Sequence, residues 1–215
     1  MTTKLLRDDI EYIIHCDAGG KIIGPISKTH AHLPGVRPTL THYSSWSMIY
    51  HVSTGKYGLQ RKNPNKLDKN SAGKWDMGVA GHNCYILEDG GYRPLGFNEN
   101  LPKEAEEEIG ITLQMCSSRE EFINTMNKPS DKAFGYLFEE FLYKTEINNE
   151  WVGLSFVVVP TTDVSFIDDE VVDFKWLSPE ELSEYLKTHD DFCIALPLAF
   201  EKAEGFRESI LSNKK

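Results

Sequence analysis

Three times along this chain, two apolar-patterned segments meet across a short turn, and that repetition commits much of it to antiparallel β-structure. EYIIHCD and KIIGPI, residues 11–17 and 21–26, flank Ala18-Gly19-Gly20, where glycine supplies the positive φ of a tight turn. SSWSMIYHV, 44–52, alternates as a half-buried strand does, and YGLQRK, 57–62, faces it across Ser53-Thr54-Gly55. GYLFEEFLYKTEI and EWVGLSFVVVP flank Asn148-Asn149, and VVDFKWL follows at 171–177. WDMGVAGH, 75–82, re-enters the core after an exposed polar loop, NPNKLDKNSAGK.

Helices interrupt these strands. LPKEAEEEIGI, 101–111, is expected as a helix capped by Asn100, with Pro102 tolerated in the first turn and Gly110 at the C-terminal end. Ser118 and Glu121 suit a capping box for a short helix to about Met126, and Ser178-Pro179-Glu180-Glu181 starts another through about Lys187. A last helix is expected over 198–211. The stretch 83–100 holds a glycine pair, a proline and a third glycine, and reads as an inserted loop. The residues alone therefore give a mixed α and β class with several hairpins.

At 215 residues one domain is expected over 1–215, with an N-terminal hairpin extension at 1–43, a core at 44–190 and a C-terminal helix at 191–215. Acidic side chains number 33 against 23 basic, giving −10, which argues against a nucleic-acid polymer as partner. Cys16, Cys84, Cys116 and Cys193 are widely separated, with no CxxC pair, as in a reduced protein. The N-terminal residues carry charge throughout and hold no long apolar run. The expectation is a cytoplasmic protein with no membrane partner.

On the 101–111 helix, a rotation of 100° per residue gathers Glu104, Glu107 and Glu108 within about a third of the circumference, beside an apolar stripe of Leu101, Ala105 and Ile109. Like charges at these spacings repel by a few tenths of a kcal/mol per pair unless a cation sits over them. Oxygen ligands of this kind suit Mg²⁺ or Mn²⁺. A solvated acidic face is the other reading of the same residues.

KEAEEEIGI, 103–111, resembles the second half of the Nudix box, Arg-Glu-apolar-any-Glu-Glu-any-Gly-apolar, with Lys103 in place of Arg. Gly81 in WDMGVAGH matches the opening glycine of the box. From Gly81 to Lys103 is 103 − 81 = 22 steps, about eight more than the family pattern allows. The first box glutamate has Glu88 and Glu99 as its candidates. The resemblance implies a Nudix-type α/β/α sandwich with a mixed β-sheet.

A second resemblance, to isopentenyl diphosphate isomerase, a member of the same superfold, rests on GPISKTHAH at 24–32, SSW at 44–46, QRKNPNK at 60–66 and WDMGVAGH. It implies that Lys28, Lys62 and Lys66 hold a diphosphate and that His32 and His82 bind metal, with His30 and His42 both near the place of a further histidine. The catalytic cysteine of the isomerase is Ala80 here, and of its later acidic pair Glu150 is matched while Asn148 stands at the other place. Since Glu104, Glu107 and Glu108 are retained, the expected activity is hydrolysis of a diphosphate linkage in a small molecule. Mg²⁺ or Mn²⁺ would sit on those three glutamates, with Glu104 and Glu107 catalytic and Glu150 as general base. Arg61 would add a bidentate phosphate contact. Trp75, Trp151 and Trp176 are candidates for stacking on a base or lining a prenyl pocket, with core packing as the alternative, and Glu170, just before a strand, reads as surface.

Overall fold

The three hairpins form where their turns direct. The computed structural model describes residues 6–7, 9–66, 68, 70–88, 90–128, 130–167 and 169–212, so the tail at 213–215 and parts of the loop after residue 66 lie outside it. β1 (Tyr12–Cys16) and β2 (Ile22–Ser27) pair antiparallel around Gly20, whose φ is +78°. A single helical turn, α1 (Lys28–Ala31), follows directly. β3 (His42–His51) and β4 (Lys56–Lys62) meet at Gly55, φ +68°. β5 (Trp75–Met77) and β6 (Val79–His82) come next, then β7 (Tyr85–Glu88), β8 (Gly91–Pro94) and α2 (Phe97–Ile109). The remainder is β9 (Leu113–Met115), α3 (Arg119–Met126), β10 (Ala133–Lys144), β11 (Asn149–Val159), β12 (Val171–Leu177), α4 (Pro179–Thr188) and α5 (Leu196–Ser212).

Two stretches depart from the sequence expectation. The insertion is no irregular loop, since β7 and β8 pair as their own antiparallel hairpin. Helix α2 also begins four residues earlier than expected, at Phe97. Glu99 provides the reason: its carboxylate accepts the Gly96 N–H at 3.2 Å while the Gly96 carbonyl accepts from the Glu99 and Asn100 amides. Gly96 thus does the capping. Asn100 is instead fully buried, with its side chain bonded to Ser45 and Cys84.

The chain forms two compact units, one of residues 1–45, 81–100 and 139–153, the other of 46–80, 101–138 and 154–215. The first holds the β1–β2 and β7–β8 hairpins. Its core includes Ile13 and Ile14, both fully buried, and Tyr43 stacked on Phe97 at 4.9 Å.

The second unit holds β4, β5, β9, β12 and parts of β3, β10 and β11, in the sheet order β12-β4-β3-β11-β10-β9 with β5 also on β4. β4 is antiparallel to β12, β3 and β5, while β9 is parallel to β10, so the sheet is mixed. The apolar stripe of α2, Leu101, Ala105 and Ile109, packs on Ile49, Val79, Leu113, Val157 and Val159. Elsewhere in this unit Phe122 of α3, Phe156 of β11 and Phe206 of α5 form an aromatic cluster, with centroids 5.7 to 6.2 Å apart. Removing a side chain such as Leu101 from this packing costs roughly 2–5 kcal/mol.

Candidate functional site

The first unit gathers three histidines. Ser27 accepts the His30 N–H and so starts α1, and His32 follows its single turn. His42 opens β3, opposite His15 of β1, and His82 ends β6. One ring nitrogen from each of His32, His42 and His82 lies within 4.8 Å of the other two. His32 Nε2 and His82 Nε2 are 3.3 Å apart.

His42 is wholly buried, and its Nδ1 lies 3.2 Å from the Leu40 carbonyl. A carbonyl only accepts, so the proton is assigned to Nδ1 and Nε2 presents its lone pair. Among the described residues, that Nε2 has no hydrogen-bond partner. A buried polar atom in that state costs about 1–3 kcal/mol unless something occupies it.

Glu150, in β11, completes the group. Its Oε1 is 3.7 Å from His42 Nε2 and 3.8 Å from His82 Nε2. Asn148 donates its amide to that oxygen at 2.6 Å and accepts from Arg37 Nε at 3.0 Å. Burial alone would raise the Glu150 pKa, yet it lies below the ordinary carboxylate value, with the Asn148 amide and the Arg37 guanidinium both favouring the ionised form. Burial, then His42 and His32, pushes His82 well below the usual imidazole range. His82 is therefore neutral near pH 7. Three imidazoles and an ionised carboxylate are the donor set of a borderline divalent cation such as Zn²⁺ or Mn²⁺ rather than Mg²⁺, which prefers oxygen.

Sequence reasoning singled out His32 and His82 and left His30 and His42 open. The structure brings in His42, and the available signal was its position at the head of a buried strand. Glu150 lies in this group too, and its held-down pKa suits an anionic ligand better than a proton acceptor.

The second unit carries the α2 acids, and there the expected set divides. Glu108 is 1% exposed and pairs with the buried Lys62 at 2.6 Å. Gln60 donates to it at 3.2 Å and the Ala80 N–H at 3.4 Å, and Lys62 also reaches the Ala80 carbonyl at 3.3 Å. Burial opposes the charge on Lys62, yet Glu108 and Asp76 raise its pKa above the ordinary lysine value. Lys62 is thus turned inward as the partner of Glu108. Glu104 and Glu107 share Lys103, which lies 3.6 Å from Glu104 and bonds Glu107. The repulsion among the three glutamates is relieved from within the chain.

The other sequence candidates also have partners. Arg93 of β8 joins Glu88 to Glu99, lying 2.8 Å from Glu99. Lys28 pairs with Glu11 at 2.9 Å, and Lys66 with Glu170. Arg61 follows Gln60 and precedes Lys62 on a strand, so alternation sends it to the other face of β4. It bonds the Gly73 carbonyl and lies over the Trp75 ring, so Arg61 and Lys62 do not converge on one anion. Trp151 donates to Glu140 and Trp176 to the Thr162 carbonyl.

Among solved structures, a Deinococcus radiodurans protein matches 90% of this chain and 99% of its own, with 15% identity and a TM-score of 0.61. A MutT protein from Methanosarcina mazei matches 80% of this chain and 95% of its own, with 19% identity and a TM-score of 0.51. No family model and no curated protein matches the chain. The likenesses are of fold, and the fold is of the Nudix type, a mixed sheet between helices.

Proposed function

We propose that this protein is a metal-dependent hydrolase of a diphosphate linkage in a small molecule. The observation that carries the reading is the buried Nε2 of His42, without a hydrogen-bond partner among the described residues, facing His32, His82 and Glu150. Those four residues would hold one divalent cation, Mn²⁺ or Zn²⁺ by donor type. Glu104 and Glu107 of α2 would take Mg²⁺ or Mn²⁺ in exchange for Lys103. Bound there, such cations supply charge for phosphoryl oxygens and a lowered pKa for water.

The chain's own residues do the rest. Leu40 fixes the His42 tautomer, and Asn148 and Arg37 keep Glu150 ionised. Lys28 and Lys66, each in an ion pair with a half-exposed glutamate, exchange that partner for a phosphate oxygen. Lys62 serves as the positioning cation of Glu108 rather than as a substrate contact.

A second reading, an isopentenyl diphosphate isomerase-like enzyme with a changed catalytic residue, is favoured by the same histidines and by Ala80 before Gly81-His82. Phosphorus NMR separates the two. With Mn²⁺ and a panel of nucleotide and prenyl diphosphates, hydrolysis yields new phosphate signals that Glu107→Gln abolishes. An intact diphosphate with a shifted double bond would assign the isomerase, and no turnover with saturable ligand shifts would assign a binding module.

A further inference from the structure

The histidine group leans on one carboxylate oxygen, and two further side chains fix what that oxygen meets. Glu150 Oε1 stands 3.7 Å from His42 Nε2 and 3.8 Å from His82 Nε2, and it accepts the Asn148 amide at 2.6 Å. An asparagine has a donor end and an acceptor end, and the acceptor end can ligate a cation. Arg37 decides which end faces the site. Its Nε donates to Asn148 Oδ1 at 3.0 Å, and a guanidinium offers only donors, so the amide oxygen is committed to Arg37 and the amide N–H to Glu150. Arg37 also brings its own charge to 4.0 Å from Glu150 Oε1, and the two side chains are only 14% and 5% exposed.

The oxygen count at this site is therefore low. The three imidazole nitrogens lie within 4.8 Å of one another, and Glu150 adds one oxygen that already accepts the Asn148 N–H. Asn149 has a buried Oδ1 with no hydrogen-bond partner among the described residues, but as the residue between Asn148 and Glu150 it lies on the other face of the strand. All of these residues belong to the first unit. Imidazole suits Zn²⁺, whereas Mn²⁺ and above all Mg²⁺ favour carboxylate and carbonyl oxygens.

Resting on the metal-site reading above, we propose that Asn148, held by Arg37, selects the ion of the histidine group. By withholding an oxygen ligand it favours Zn²⁺ over Mn²⁺ and shuts out Mg²⁺. Asn148→Asp would put a second anionic oxygen where the amide nitrogen now lies, 2.6 Å from Glu150 Oε1. Two carboxylates that close repel unless a cation joins them. The substitution thus adds both charge and an oxygen donor, and the oxygen-preferring ions gain most. Removing Arg37 acts in the same direction but less strongly, because the Asn148 amide is then released to turn its oxygen toward the ion.

The test uses the full chain carrying Glu104→Gln and Glu107→Gln, so that the α2 acids do not compete with the histidine group. The protein is stripped of metal, then titrated with Mn²⁺ by electron paramagnetic resonance and with Zn²⁺ against a chelating indicator. Asn148→Asp is expected to narrow the ratio of Zn²⁺ to Mn²⁺ affinity about tenfold, mainly through tighter Mn²⁺, and to let Mg²⁺ compete with Mn²⁺. Arg37→Ala should narrow the same ratio several-fold, whereas the loss of its charge alone would strengthen both ions alike. A ratio that stays at the parent value in both variants, with both ions still bound, would overturn selection by Asn148. Failure of the parent protein to bind either ion would instead overturn the metal-site reading on which the selection rests.

Discussion

Lys62 and Glu108 stand 2.6 Å apart, with side chains 4% and 1% exposed. Removing one partner of such a pair leaves a buried charge uncompensated, at a cost of about 3–5 kcal/mol. Lys62→Met should therefore lower the urea midpoint sharply, and Lys62→Met with Glu108→Leu should recover much of the loss. Full destabilisation in the double variant would show that packing, not charge, sets the cost. His82 gives a pH signature in the metal-free protein. Its folded pKa lies well below 6.5, so the folded state binds fewer protons than the unfolded chain as pH falls through that value. Stability is present in full above 6.5 and declines below it. Urea midpoints at pH 7.5 and 5.5 should differ less for His82→Gln than for the parent protein.

Hairpins and caps were legible because their causes are local. The Ser178 capping box forms with both of its bonds, and Ser178→Ala should cost about 1 kcal/mol in chemical denaturation. Gly20 is doubly constrained, with φ +78° and Trp151 atoms 2.4 Å from where a Cβ would lie. Gly20→Ala should accordingly destabilise by more than the roughly 1–2 kcal/mol of the left-handed conformation alone. A midpoint unchanged by that substitution would contradict the turn geometry. The start of α2 was misplaced because its determinant, Glu99 reaching back to Gly96, lies inside a stretch whose glycines and proline suggest a loop.

Across the whole molecule, the hairpins made a mixed α and β class readable, while the Nudix-type fold came through the resemblance of residues 103–111 to the Nudix box, and the likeness to the Methanosarcina mazei MutT protein agrees with it. The candidate site was readable only in part. Spacing alone placed Glu104, Glu107 and Glu108 together, but a helical wheel does not show that Lys62, from a strand 46 residues away in sequence, neutralises Glu108. Nor does sequence distance reveal that His42 rather than His30 joins His32 and His82, since that depends on which side of β3 faces inward.

The deciding measurement prepares metal-free protein, adds Mn²⁺ or Zn²⁺, and reads bound metal and diphosphate cleavage in the same sample, for the parent protein and His42→Ala. The account predicts tight binding of one ion that His42→Ala loses, together with cleavage by the parent alone. A His42→Ala protein that binds the ion and cleaves at the parent rate would contradict it.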